Sequence, residues 1–249
     1  MTSILPDLTH GHLIGGRVRY AQPATGFRSG IEPVILAAAV PARAGERILE
    51  AGTGCGAALL CLSARVPGIV GVGVDIDPAL TAIAAMNAAD NAPHRLEFIA
   101  ADLAAAPIDD GFDHACANPP YHHASGTRSR DPMRDRAKRA EPGLPEIWVK
   151  ALSGRLRHRG SLTLILPAAS SPAWIGAMAD ADCPVATLFP LWPRAGRPAK
   201  LVVLQGIRRG RSPMLLAAGL TLHGAGSAFT PETEAILRHG AELALRPQA

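Results

Sequence analysis

Four consecutive residues, Asn118-Pro119-Pro120-Tyr121, have types and an order that suit chemistry on an amino group. Proline fixes φ, lacks a backbone donor and forces the preceding residue into an extended conformation, so this stretch cannot be helical. The Asn118 amide oxygen and the Pro119 carbonyl can both accept hydrogen bonds from one NH2 group. Because such bonds favour a pyramidal nitrogen and return electron density to it, the pair would activate an exocyclic amine without a strong base. Tyr121 can stack on a flat substrate.

The segments around this stretch alternate between strand and helix patterns from residue 47 onward. Seven apolar segments predict strands, at 47–51, 68–77, 96–102, 112–120, 161–168, 184–192 and 200–208. Strands separated by helices of this length indicate the α/β class, with a doubly wound, mostly parallel, seven-stranded sheet. A short hairpin at 13–22 and a helix at 31–40 come first. We expect an N-terminal extension over 1–40 that packs on the core, and a main domain over 41–249.

A glycine loop, E-A-G-T-G-C-G at 50–56, follows the first of these strands. Glycines let the backbone turn sharply and approach a ligand closely, and the helix that follows offers free N–H groups. Asp75 ends the next strand, where a carboxylate can accept hydrogen bonds from both ribose hydroxyls, whereas Asp77 fits a helix cap better. Asp102 ends the third strand and suits either an adenine amino group or a turn. Because the carboxyl ends of parallel strands share one edge of a sheet, these residues and Asn118 form one coherent site.

In this order and spacing, E-A-G-T-G-C-G, V-D-I-D, A-D and N-P-P-Y resemble the motifs of class I S-adenosylmethionine-dependent methyltransferases. N-P-P-Y marks the branch that methylates adenine N6, guanine N2 or the glutamine side chain. The upstream G-G-R-V-R-Y-A-Q-P-A-T-G-F-R-S-G-I-E-P-V-I-L-A-A is similar to the lead-in of bacterial tRNA adenine-N6 methyltransferases that modify a valine tRNA. Glu32-Pro33 stands where those enzymes usually have Asp-Ala. The resemblance implies a Rossmann-like methyltransferase domain over 41–249.

The resemblance also implies roles for individual residues. S-adenosylmethionine would be held by the glycine loop, the two acids and their neighbours, namely Glu50, Ala51, Gly52, Thr53, Gly54, Asp75, Ile76, Asp102, Leu103 and Asn118. The target amine would be held by Asn118, Pro119, Pro120 and Tyr121. We expect no metal, because the His122-His123 pair has no third ligand in view and the four cysteines lack metal-ligand spacing.

The formal net charge of +4 is concentrated in one segment, residues 128–139. Its two acids, Asp131 and Asp135, stand against six cations: Arg128, Arg130, Arg134, Arg136, Lys138 and Arg139. Such a segment is either a solvated loop or a phosphate-contacting arm, and its place directly after N-P-P-Y favours contacts with RNA. A base in a single-stranded RNA loop can enter a site at a lower free-energy cost than a base in a duplex, which must first be unpaired and flipped out. We therefore expect tRNA as the partner.

Neither a membrane span nor a signal peptide is indicated. The apolar runs end well short of the roughly 20 residues that a span needs, and the first residues lack a basic start. We therefore expect a cytoplasmic protein without membrane contact, and the sequence leaves its oligomeric state open. Cys55, Trp148 and Trp174 are interpreted as packing residues, whereas Trp192, placed in a loop, either packs on the surface or touches the substrate.

These features predict an S-adenosylmethionine-dependent N-methyltransferase whose favoured substrate is adenine N6 in tRNA. The alternatives within enzymes are a protein glutamine N5 and an amino group of rRNA or DNA. A non-catalytic RNA-binding protein with a vestigial cofactor pocket is the alternative of another class, against which the intact N-P-P-Y argues. A nicotinamide oxidoreductase is disfavoured, because Gly52, Gly54 and Gly56 give G-x-G-x-G instead of G-x-G-x-x-G and no acid/base pair for hydride transfer is in view.

Overall fold

A nine-stranded sheet dominates the computed structural model, which describes residues 6–25, 28–92, 95–120 and 143–246. All seven predicted strands form: Arg47–Ala51 (β3), Val70–Asp75 (β4), Leu96–Ala100 (β5), Phe112–Ala117 (β6), Leu156–Pro167 (β7), Val185–Arg194 (β8) and Leu201–Ile207 (β9). Two short strands, Leu215–Leu216 (β10) and Leu220–His223 (β11), pair with β8 at one edge of the sheet. The spatial order is β10-β8-β9-β7-β6-β3-β4-β5, and only β9 runs antiparallel to its neighbours. The predicted doubly wound, mostly parallel sheet is confirmed.

Helices cover both faces of this sheet, and those in the described ranges are Glu32–Ala39 (α1), Ala57–Arg65 (α2), Pro78–Asn91 (α3), Leu144–Arg155 (α4), Ser171–Asp180 (α5) and Pro231–His239 (α6). One apolar cluster joins α1, α2, α3 and α6 to one face. A second cluster joins α4 and α5 to the other face and contains the buried Trp174. None of the helices in the described ranges has the length and apolarity that crossing a membrane would require.

Capping residues fix where two of these helices begin. The Asp77 side chain accepts a hydrogen bond from the Ala79 amide, and Pro78 occupies the first turn of α3. Thr230 caps α6 in the same way, by accepting from the Thr233 amide. A side-chain oxygen at this position satisfies one of the amides that a helix start leaves unpaired. Asp77 is therefore the helix cap, as predicted, and Asp75 is not needed for that role.

The N-terminal hairpin consists of Leu8–Leu13 (β1) and Val18–Pro23 (β2), joined by a 3-10 turn at Ile14–Gly16. It begins five residues earlier than the pattern at 13–22 predicts. Buried Asn87 on α3 fastens it, accepting from the Ala21 amide at 2.8 Å and donating to the Ala21 carbonyl at 2.9 Å and to the Cys55 carbonyl at 3.0 Å. Asn87 therefore ties the hairpin to both α3 and the glycine loop.

The hairpin turn also contacts the far end of the described chain. Arg17 donates to the His239 carbonyl at 3.0 Å and to the Ala64 carbonyl at 2.7 Å. Gly15, at φ +58°, lies so close to the Arg238 carbonyl that a Cβ would collide with it. The turn therefore closes against the last turn of α6, although more than 200 residues separate the two in sequence.

A polar network holds the amino ends of the central strands at the edge opposite the glycine loop. The two ring nitrogens of His114 lie 2.7 Å from Ser161 Oγ and 2.9 Å from Glu46 Oε2. Arg157 pairs with Asp113 at 2.6 Å. Burial lowers the pKa of His114, although the neighbouring Glu46 carboxylate opposes this shift. The network makes β7 start at 156, five residues before its predicted start, so that Arg157 lies within the strand.

Candidate active site

The glycine loop lies at the carboxyl end of β3 and adopts a conformation that only glycine tolerates easily. Gly52, Gly54 and Gly56 have φ values of +65°, +54° and +84°. Hydrogen bonds from the Thr53 amide to the Val74 carbonyl (3.1 Å) and from the Gly56 amide to the Thr53 carbonyl (2.9 Å) hold the turn against β4. A Cβ built on Gly54 would meet nothing within 4 Å, so the loop is open to a ligand at that point.

Glu50, the last polar residue of β3, supports this loop from within the protein. Its side chain is buried, and Oε2 accepts from the Thr53 hydroxyl at 2.8 Å and from the Leu59 amide at 3.3 Å. Burial raises its pKa to about 8. Glu50 therefore links the strand, the loop and the first turn of α2, and the shape of the loop depends on it.

Asp75 ends β4 with both carboxylate oxygens fixed beside the loop. Oδ2 accepts from the Gly54 amide at 2.8 Å, and Oδ1 accepts from the Asp77 amide at 3.0 Å. Burial raises its pKa, while these amide donors act in the opposite direction. Because each carboxylate oxygen has more than one acceptor site, Asp75 retains capacity for two ligand hydroxyls. The next residue, Ile76, is 70% exposed and offers an apolar surface at the same point.

Asp102 follows β5 at the same edge of the sheet. Its Oδ1 accepts from the Ala104 amide at 2.9 Å, and its carbonyl accepts from the Ala105 amide, so it organises a turn. The adjacent Leu103 is buried beneath this turn, whereas Asp102 is exposed. Of the two roles that the sequence allows, the structure shows the turn, and the second carboxylate oxygen is left for a ligand.

Asn118 leaves the sheet directly beside the glycine loop. β6 pairs with β3 in the register Ala51–Ala117, so Gly52 and Asn118 are the next residues on neighbouring strands. Asn118 Oδ1 is buried, and no described residue donates a hydrogen bond to it. A buried acceptor without a donor costs about 1–3 kcal/mol, so an oxygen in this state is a place where a ligand donor is expected. Pro119 is buried and Pro120 half-buried behind it.

Part of the predicted site lies outside the described residues. This holds for Tyr121, for the His122-His123 pair and for the six proposed RNA contacts, namely Arg128, Arg130, Arg134, Arg136, Lys138 and Arg139. The described residues form no cluster of three or more histidine, cysteine, aspartate or glutamate side chains placed for a metal ion. Cys55, in the loop, is buried, and burial raises its pKa to about 12, which suits the predicted packing role.

Trp148 is a neighbour of the loop that the sequence did not indicate. A Cβ built on Gly52 would lie 2.9 Å from the Trp148 ring, so the indole of α4 packs against the loop backbone. The predicted role for Trp148 is packing, and its half-buried position agrees, but its partner is the glycine loop. This contact joins elements nearly 100 residues apart, and no local pattern signals it.

Taken together, these residues fit S-adenosylmethionine, which when bound supplies an electrophilic methyl group on a sulfonium. The open backbone at Gly54 leaves room for it, and Asp75 has acceptor capacity for ribose hydroxyls. Next to the same loop, Asn118 adds a buried oxygen that accepts no hydrogen bond from the described residues.

Comparisons with known proteins agree with this fit. Residues 48–143, which include the loop, both acids and Asn118, match the family described as "Methyltransferase domain". A crystal structure described as a predicted O-methyltransferase of Agrobacterium tumefaciens matches with a TM-score of 0.71 and 24% identity, covering 86% of this chain and 99% of that one, which shows the fold.

Two curated relatives carry named activities. The chain is 28% identical to the tRNA1(Val) (adenine(37)-N6)-methyltransferase of Aeromonas hydrophila over 207 residues, which are 82% of this chain and 86% of that protein. It is 40% identical to the release factor glutamine methyltransferase of Rhodospirillum rubrum over 89 residues, which are 35% of this chain. The match spans only 27% of that second relative's length. The family match over residues 48–143, the fold and the geometry of the site agree with one another, and together they support S-adenosylmethionine-dependent methyl transfer.

Proposed function

We propose that this chain is an S-adenosylmethionine-dependent methyltransferase that modifies an exocyclic amino nitrogen, and that its substrate is adenine N6 in a tRNA. The observation that carries the proposal is the buried Asn118 Oδ1 beside the cofactor loop, which accepts no hydrogen bond from any described residue. A base amine has two N–H donors, and its lone pair is delocalised into the ring. Two fixed acceptors, Asn118 Oδ1 and the Pro119 carbonyl, would draw that lone pair back onto nitrogen.

The remaining predicted residues complete this proposal. The prolines limit the conformations of the acceptor pair, so little reorganisation is needed during the reaction. Tyr121 would stack on the base, and Asp75 and Asp102 would hold the ribose and adenine of the cofactor. Glu50 contributes by shaping the loop, through its bonds to Thr53 and Leu59, more than by reaching the ligand.

Two observations support RNA as the substrate. The relatives that align along most of this chain are named for adenine-N6 methylation of a valine tRNA. The sequence also places six cations within residues 128–139, directly after N-P-P-Y, where phosphate contacts would help to hold an RNA at the site. A tRNA substrate implies action in the cytoplasm.

Protein glutamine N5 is the second candidate, and one observation favours it. The glutamine methyltransferase has the higher identity, 40%, although the match covers 35% of this chain. A glutamine amide nitrogen is also planar and poorly nucleophilic, so the same acceptor pair would serve it. Replacing the six cations of 128–139 with serine separates the two candidates, because an RNA substrate would lose phosphate contacts and a protein substrate would not.

The test is methyl incorporation from labelled S-adenosylmethionine into total tRNA that lacks its natural methylation, with release factor as the parallel protein substrate. We expect N6-methyladenosine on nucleoside analysis with the native chain and a rate at least about a hundredfold lower with Asn118→Ala. Cofactor affinity should stay within about twofold in that variant, because the amide faces the amine. Label in release factor and none in tRNA would refute the RNA proposal and support the second candidate.

A further inference from the structure

The loop between β8 and β9 and the strand β11 form an open groove that the proposed site does not use. Its volume is about 510 Å³, within the roughly 300–1,000 Å³ typical of ligand sites. The residues that line it are Trp192, Ala195, Gly196, Arg197, Pro198 and Thr221. Sequence patterns place Trp192 in a loop, whereas the structure places it within β8, paired with Thr221 of β11.

The groove opens at the same edge of the sheet as Asn118. β8 runs parallel to β6 and β7, because both β7 and β8 are antiparallel to β9, so the end of β8 lies at the edge where β6 ends. Three strand spacings of about 4.8 Å and about three residues along the strand separate the two positions, which gives roughly 17 Å. At 3.4 Å per stacked nucleotide that is about five steps, within reach of one RNA loop.

Trp192 faces the α4 and α5 side of the sheet and is held in one orientation. Leu188 packs into the apolar cluster beneath these helices, and side chains alternate along a strand, so Trp192, four residues on, faces the same side. Its Nε1 donates to the Ala218 carbonyl at 3.0 Å. Gly219, at φ +87°, makes this possible, because a Cβ there would lie 2.7 Å from Trp192 Nε1 and would collide with the Pro190 carbonyl. The half-buried indole is therefore a rigid aromatic surface at the groove.

The segment of chain that forms this aromatic surface contains basic residues but no acidic ones. No aspartate or glutamate occurs between Asp182 and Glu232. Three exposed cations, Arg194, Arg197 and Lys200, lie at or beyond the end of β8, and none of the salt bridges among described residues involves them. A fixed aromatic ring flanked by unneutralised cations is the combination that binds single-stranded nucleic acid, by stacking on a base and contacting its phosphates.

We propose that this groove, resting on the RNA substrate of the proposed function, binds a nucleotide of the same RNA a few steps from the target adenine. Trp192 stacks on its base, and Arg197 and Lys200 contact the adjoining phosphates. A second anchor at this distance fixes the register of the RNA, so that one adenine reaches Asn118. The groove then contributes to substrate affinity and site selection, and takes no part in the transfer step.

The test measures binding of unmethylated total tRNA to the full chain by filter retention at several salt concentrations, together with the kinetics of methylation. Trp192→Ala should weaken binding about five- to 150-fold, the range expected when one base stack is removed, and should raise KM for tRNA more than it lowers kcat. Trp192→Phe keeps a stacking ring without the Ala218 bond and should stay within about threefold of the native chain. It also guards against a folding defect in the alanine variant.

Charge is tested separately with a matched control. The pair Arg197→Glu and Lys200→Glu should weaken binding and reduce the salt dependence by about 0.7 in log–log slope for each phosphate of a single strand that the protein no longer neutralises. Arg211→Glu reverses one charge, as each single member of the pair does, at an exposed position near the opposite edge, and should bind tRNA normally. Cofactor affinity should be unchanged in all of these variants.

The outcomes separate this inference from the proposed function. Native binding and methylation of tRNA by Trp192→Ala and by the double glutamate variant, with Asn118→Ala still inactive, would overturn the groove proposal alone. Absence of tRNA binding in the native chain would overturn both proposals. A loss confined to methylation of a protein substrate would assign the groove to a protein partner and overturn the RNA assignment.

Discussion

Replacing Asn118 with leucine should slow methyl transfer by at least about a hundredfold and at the same time stabilise the fold. The reason is that Asn118 Oδ1 is buried and receives no donor from the described residues, so the folded protein carries an unpaired polar atom when no substrate is bound. Such an atom costs about 1–3 kcal/mol. Leucine has the same branching and the same number of heavy atoms, so the change removes the polar penalty without leaving a cavity.

The expected magnitudes follow from these contacts. For a chain of this size, 1 kcal/mol corresponds to about 2–4 °C in Tm, so Asn118→Leu should melt at least about 2 °C above the native chain without ligand. Loss of one of two fixed acceptors should lower kcat by about a hundred- to a thousandfold. Calorimetric melting at pH 7.5 measures Tm, urea unfolding measures the free energy of unfolding, and single-turnover methylation measures the rate of methyl transfer.

Asn91→Leu is the matched control, because there the amide is fully used. Asn91 Oδ1 accepts from the Arg19 amide at 2.8 Å, and Nδ2 donates to the Arg19 and Asn87 carbonyls. The same substitution should therefore lower Tm. If Asn118→Leu melted several degrees below the native chain instead, the amide would be held by protein contacts, and the argument that its oxygen awaits a substrate amine would be wrong.

Three further perturbations test other parts of the structure. Asp75→Ala should weaken S-adenosylmethionine binding by about tenfold or more in calorimetric titration, because it removes the acceptor of the Gly54 amide together with the ribose acceptors. Asp75→Asn keeps one oxygen, so its affinity for S-adenosylmethionine should lie between those of Asp75→Ala and the native chain. Burial lowers the pKa of His114 from its usual 6.5, so as pH falls the unfolded chain takes up the proton before the folded chain does. The free energy of unfolding, measured in urea, should therefore fall as pH drops from 8 to 5. His114→Gln should largely remove this loss. Asn87→Ala leaves the Ala21 amide and carbonyl without partners and should lower the free energy of unfolding by about 2–4 kcal/mol in urea; a loss below about 0.5 kcal/mol would contradict the role assigned to Asn87.

Much of the sheet could be predicted because its signals are local. Each core strand is a short apolar run bounded by glycine, proline or a polar residue, and the helix starts at Asp77 and Thr230 carry capping side chains. The residues at which strands and helices begin and end were harder to predict. β7 extends back to Leu156 because Arg157 pairs with Asp113 of the neighbouring strand, and that partner is invisible in the local pattern L-R-H-R-G.

The site, like the sheet, was predictable where its signals are local and unpredictable where they depend on contacts across the fold. Spacing alone was enough to bring the glycine loop, Asp75 and Asn118 to one edge, because parallel strands end together. Spacing gave no indication that Glu50 Oε2 accepts from both Thr53 and Leu59, since those bonds depend on how the loop folds back. Trp148 and Asn87 likewise act on the loop through contacts across the fold, and in sequence each is an ordinary helix residue.

The closure of the hairpin turn against α6 has a consequence for how the chain reaches its native state. The carbonyl partner of Arg17 on His239 lies 222 residues further along the chain, and the Leu243 amide bonds back to the Ala38 carbonyl in the same region. Contacts of such long sequence separation form late, because a large loop must close before they contribute. During translation the surface of the hairpin turn and of α1 that packs on α6 therefore stays uncovered until α6 has left the ribosome. The need for chaperones should therefore grow with the time between synthesis of the hairpin and synthesis of α6, and a chain truncated before α6 should be cut by proteases within the hairpin.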